Sequence, residues 1–185
     1  AQGGVTRYGA GLAVVAAGGD ARPRFAEAIA DLEAALRHEP ARLRLRAELG
    51  NARRCLAGAR EAAGEDPEEA YRAALADFDV VLAGAPNDPT ALNDRALTHL
   101  FLGMRAAMLG DSAAARERYD RALADLDAVL AQHSRDAAAL NNRGSVRARR
   151  ADAAAERGED PMPEYQAALT DYDAALAAQP DHVDA

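Results

Sequence analysis

One stretch recurs four times along the chain, and it restricts the fold more than any other feature. Its clearest copy runs Tyr165-Gln-Ala-Ala-Leu169-Thr-Asp171-Tyr172-Asp173-Ala-Ala175-Leu176-Ala-Ala-Gln-Pro180, and the others begin at Phe25, Tyr71 and Tyr119. The starts lie 46, 48 and 46 residues apart (25 to 71, 71 to 119, 119 to 165). In the first copy the matching positions are Phe25, Ala28, Ile29, Leu32, Ala35 and Leu36. This i, i+3, i+4, i+7 recurrence continues for three turns as a one-sided helical stripe. Four such helices at one period define a repeat array, whose core grows along the chain instead of around one centre.

Turn signals divide the 185 residues into units. Gly64-Glu-Asp-Pro67 recurs as Gly158-Glu-Asp-Pro161, and Gly110-Asp111-Ser112 stands at the same place in the third unit. Glycine closes one helix, aspartate caps the next, and proline fits the first helical position. Asp20 is the expected cap for the helix carrying Pro23 in its first turn. The spacing predicts four helix pairs: 1–17/21–38, 41–63/67–83, 89–109/112–132 and 136–157/161–178. Units then span 1–40 (truncated), 41–86, 87–134 and 135–180. Residues 181–185 would open a fifth, so the chain reads as a fragment of a larger bacterial protein.

The pattern resembles tetratricopeptide repeats, in which a small residue of the first helix lies where the second helix crosses it. Here that residue is Gly50, Ala96 and Gly144. The second-helix set is Ala28/Ala74/Ala122/Ala168, Leu32/Phe78/Leu126/Tyr172 and Ala35/Val81/Val129/Ala175, closed by Pro40, Pro86, Ser134 and Pro180. Leu140-Asn-Asn-Arg-Gly144 and Ala168-Leu-Thr-Asp-Tyr172 are particularly like the family. The period exceeds the family's usual 34 by about 12 residues, and the surplus lengthens the first helices by roughly three turns. Arg53 and Arg147 stand where the family often has a bulky apolar residue. HEAT-type repeats share the longer period but do not predict the Gly/Ala pattern with its closing proline. The resemblance implies an all-α, right-handed α–α superhelix of four antiparallel helix pairs.

Composition narrows the function classes. Apolar residues make up 49% but aromatics only 4%, and much of the rest is alanine, which suits close helix packing. The net charge of −8 argues against nucleic acid as the partner. All 22 basic residues are arginine, through either codon bias or selection for bidentate grips. The single Cys55 excludes an internal disulfide and agrees with a cytoplasmic location. No apolar run approaches the roughly 18–20 residues that span a bilayer, which argues against membrane insertion.

Asp77-x-Asp79, Asp125-x-Asp127 and Asp171-x-Asp173 look like metal pairs. Residues two apart on a helix, however, point to different sides and cannot share an ion. One carboxylate of each pair is expected to meet an arginine of a neighbouring first helix, with Arg95 and Arg143 as the partners. His38, His99, His133 and His182 lack ligand spacing, and no catalytic constellation or cofactor motif is present. The expectation is therefore a non-enzymatic surface that recognises a protein or peptide.

By resemblance, the first helices line a concave groove. The positions carried over are Arg44, Glu48, Asn51 and Arg54 in the second unit. The third contributes Asn93, Asp94, Leu97 and Phe101; the fourth contributes Asn141, Asn142, Ser145 and Arg149. Only Asn142 keeps the family's ladder asparagine, with Glu48 and Asp94 in its place elsewhere. The lysines of the family's carboxylate clamp are absent, and Arg44, Arg54 and Arg149 are imperfect substitutes. Leu97, Phe101, Met104 and Met108 form a second apolar stripe, either a pocket for a ligand's anchor or packing against neighbouring first helices. Two further expectations are head-to-tail self-association and a regulatory arm of a signalling enzyme. The second arises because arrays with this Asn-Asn-Arg-Gly phrasing resemble those attached to bacterial protein kinases.

Overall fold

The computed structural model describes residues 2–178, with side chains from Arg7 onward. The turn at Gln179-Pro180 and the fifth unit's opening lie outside the described residues. Eight α-helices occur among them and follow one another as antiparallel pairs. The chain divides into two compact units between Ala91 and Leu92.

The first unit holds α1 (Gln2–Ala16), α2 (Arg22–His38), α3 (Leu43–Ala62) and α4 (Glu68–Gly84). Each of these helices packs on the next. Leu32 and Leu36 of α2 meet Leu45, Leu49 and Ala52 of α3, with Tyr8, Ile29 and Ala35 at the margin. The second unit holds α5 (Pro89–Met108) apart from its first three residues, α6 (Ser112–Gln132), α7 (Ala137–Glu156) and α8 (Met162–Ala178). Tyr119, Leu126, Val129 and Val146 are its largest fully buried side chains. All four expected helix pairs are present, with ends displaced by at most two residues.

Helix ends follow the punctuation of the sequence. Gly64 and Gly158 have φ of 75° and 74°, a left-handed conformation that glycine adopts without steric cost. The following amides reach back, Glu65 to Arg60 O at 2.9 Å and Glu159 to Ala154 O at 3.0 Å. Asp111 caps α6 by accepting from the Ala114 amide at 2.9 Å, and Asp136 caps α7 through Ala139 at 2.8 Å. Asp20 acts one residue further out than expected. Ala21 occupies the cap position, and Asp20 accepts from the Arg22 amide at 3.0 Å.

Each pair is closed by a small residue pressed on an aromatic ring. A Cβ built on Gly50 would lie 2.8 Å from the Phe78 ring, and one on Gly144 2.8 Å from Tyr172. A second row uses the added length of the first helices. Gly11 meets Phe25 and Gly103 meets Tyr119, where a Cβ would come within 2.6 and 2.5 Å. Ala57 and Ala151 hold the matching positions and are fully buried. The extra turns thus cover the leading aromatic of the second helix, a packing gain of roughly 1.5–3 kcal/mol for a ring such as Phe25.

Candidate functional site

Most of the buried charge is gathered into arginine–carboxylate clamps within the pairs. Arg95 grips Asp125 bidentately, Nε at 2.8 Å and Nη2 at 2.6 Å. Arg143 holds Asp171 in the same way at 3.0 and 2.6 Å, and Arg147 adds a contact at 2.8 Å. Asp77 receives Arg46 at 3.2 Å and Arg53 at 2.6 Å. The expected partnerships of Arg95 and Arg143 are therefore present. Arg53 and Arg147, which replace an apolar residue of the resembled family, supply the second arginine of their clamps.

A fourth carboxylate pair went unnoticed in the sequence because its second member is glutamate. Asp31-x-Glu33 lies six residues past Phe25, as Asp77, Asp125 and Asp171 lie six past their tyrosines. Asp31 meets Arg7 at 3.2 Å. The register relative to the leading aromatic was the available signal.

In two of the pairs the second carboxylate serves the following helix. Glu33 accepts from Arg53 at 2.5 Å, and Asp127 accepts from Arg143 at 2.8 Å. One guanidinium thereby joins two successive second helices. The two carboxylates diverge as their helical spacing requires. No group of three or more metal-binding side chains occurs among the described residues. The clamps are structural: fully made they hold the pairs in register, whereas removing one partner would strand a buried charge.

Burial acts on these groups unequally. It lifts the Asp77 carboxyl above its ordinary 3.8, against the pull of Arg53 and Arg46. Hydrogen bonding to Asp171, reinforced by Asp127, makes Arg143 still more basic despite its burial. The Tyr71 and Tyr119 phenols are raised chiefly by burial and stay neutral. A cavity of about 330 Å³ in the first unit is bordered by Glu33, Arg46 and Arg53, so it belongs to the clamp region.

The carried-over groove positions fall into two sets. On α3, the exposed Arg44 pairs with Glu48 at 3.2 Å and Arg54 donates to Asn51 at 3.2 Å. In the second unit, Asn142 of α7 donates to Asn93 of α5 at 2.8 Å, bringing two predicted residues from different pairs together. Asn141 is exposed, and Asp94 is half-buried with its carbonyl accepting from Thr98. Arg149 pairs with Asp152 at 3.0 Å. Ser145 is half-buried. Tyr172 of α8 donates to its hydroxyl at 3.2 Å, so Ser145 is turned toward its own partner helix.

The second apolar stripe of α5 is partly open. Leu97, Phe101 and Met104 are half-buried, and Met108 is 82% exposed. Met104, Ala107 and Met108 line a cleft of about 200 Å³ with Tyr119 and Ala153, and Arg149, Asp152 and Glu156 complete it. Two flexible thioethers beside three charged groups can admit one apolar side chain and fix its polar flanks. Of the histidines, His99 is buried and His38 and His133 are exposed; His182 lies outside the described residues. Cys55 is half-buried beside the Tyr8 hydroxyl at 3.7 Å.

These features define an all-helical protein of sequential antiparallel pairs with a repeat-like architecture. Compared with known proteins, the chain matches no family model and no curated protein. No helix among the described residues is long and apolar enough to cross a membrane.

Proposed function

We propose that the chain is a tetratricopeptide-type array, a right-handed superhelix that works by binding and not by catalysis. In this reading it holds a peptide segment or helix of a partner protein along the exposed face of its first helices. The observation that carries the reading is the cleft between α5 and α7, with Met104 and Met108 on one side and Arg149, Asp152 and Glu156 on the other. Methionine adapts to varied apolar anchors. Further along α5 and α7, backbone recognition falls to Asn93 and Asn142, whose amides both donate and accept.

Asn142 already donates to Asn93, so a ligand must offer replacement hydrogen bonds or accept those left over. An extended peptide backbone does both. The net charge of −8 favours ligands with basic flanks, received by Asp152 and Glu156. Peptides selected by display on the intact chain should bind saturably, and Met108→Glu should weaken them about tenfold, roughly 1.4 kcal/mol. Asn142→Ala should cost less. Selected peptides that bind both variants as tightly as the parent would overturn the reading.

A further inference from the structure

The outward face of the second helices recurs at offsets four, eight and eleven from the leading aromatic. In α6 these residues are Leu123, Asp127 and Leu130; the leucines are 9% and 8% exposed, and Asp127 receives Arg143 of α7 at 2.8 Å. In α2 they are Ile29, Glu33 and Leu36. Leu36 packs on Leu45 and Leu49 of α3, and Glu33 receives Arg53 at 2.5 Å. Two faces of one pattern are thus each met by the next helix, which brings one arginine to the carboxylate and, on α2, two leucines to the aliphatic stripe.

The same face is repeated on α8 as Leu169, Asp173 and Leu176. There the leucines are 61% and 67% exposed, Met162 is 52% exposed, and Asp173 is exposed as well. We propose that this face of α8 is a docking site for a single amphipathic helix of a partner polypeptide, one with the Leu-x-x-x-Leu-x-x-x-Arg signature of Leu45, Leu49 and Arg53 in α3. Two observations select that occupant. The aliphatic spacing equals that of the α2 face, Ile29 and Leu36, which already takes such a helix in α3, and Asp173 holds the register position of Glu33 and Asp127, each of which receives an arginine. Apolar burial supplies affinity, and the ion pair sets register and discriminates among helices. The site is separate from the α5/α7 cleft.

The test is a fluorescence-anisotropy titration of the intact chain with a labelled synthetic peptide spanning residues 43–62, carrying Cys55→Ser. Saturable binding is expected. Leu169→Glu together with Leu176→Glu should weaken it at least tenfold, and Asp173→Arg about fivefold. A peptide carrying Arg53→Glu should recover affinity for Asp173→Arg, which a nonspecific apolar contact would not do. All three positions are exposed, so helicity and Tm should match the parent. Met108→Glu should leave this binding unchanged, which separates the proposal from the groove reading. Absence of saturation at millimolar peptide, or equal affinity for the double leucine variant, overturns the proposal. It is also overturned if sedimentation finds that the chain alone associates through these leucines, because the occupant is then a second copy.

Discussion

The α3/α4 and α7/α8 pairs are built on one plan, yet they solve the same electrostatic problem from different positions. Both press a glycine on an aromatic ring, and both clamp a buried aspartate with two arginines. The arginine four residues after the glycine-adjacent position is shared in register, Arg53 with Arg147. The other is not: Arg46 precedes Gly50 by four residues, whereas Arg143 directly precedes Gly144. The carboxylate is therefore the fixed element, and a long side chain reaches it from either of two turns. Surroundings differ too, since Phe78 is fully buried and Tyr172 only half-buried.

That contrast can be broken most sharply at the ring. Phe78→Ala should cost about 4 kcal/mol through the cavity it leaves, and Tyr172→Ala about half of that, read as separate urea denaturation curves. Equal losses would mean that the exposure difference has no energetic weight. Next in size, Asp171→Ala should destabilise by about 3 kcal/mol because it takes the buried carboxylate from both Arg143 and Arg147, leaving Arg143 only the exposed Asp127. Asp171→Asn should recover part of that loss in the same assay. Gly50→Ala should cost about 2 kcal/mol by overpacking against a ring that has no room to withdraw; Gly144→Ala should cost less, because Tyr172 can shift toward solvent.

Smaller effects sharpen the clamp itself. Asp127→Ala, which removes an exposed partner of Arg143, should change stability by only about 0.5 kcal/mol. The Asp77 carboxyl should titrate above 3.8 by carbon-detected NMR. With the folded-state pKa raised, its linkage contribution is complete below the unfolded value and is lost as pH rises through the folded midpoint. Asp77→Asn should remove that part of the pH dependence, and a titration at or below 3.8 would refute the dominance of burial.

The fold was legible because helix and hairpin signals agreed at every level. The aromatic-led stripe located α2, α4, α6 and α8 to within two residues, and the Gly-Glu-Asp-Pro phrases located the starts of α4 and α8. Close approach was legible at Gly50 and Gly144 for the same reason, since only a residue without a side chain fits beneath the Phe78 and Tyr172 rings. Side-chain destinations were less so. Asp31-x-Glu33 is hidden because its second member is glutamate, and only its register, six residues past Phe25, marks it; that Ser145 accepts from Tyr172 depends on side-chain direction, which neighbouring helical positions change by about 100°. The use of the added turns, a second row of small residues under the leading aromatics, becomes visible only when the rows at 11, 57, 103 and 151 are aligned with the helices they meet.

At Arg143 a single cation answers to Asp171 in its own pair and to Asp127 on the helix before it. When α7 and α8 separate, the guanidinium loses its buried anchor and keeps only the exposed Asp127, which still ties α7 to α6. Amide exchange should therefore quicken in α8 before it does in α6, with α7 opening between them, so the second unit frays in order from α8 inward.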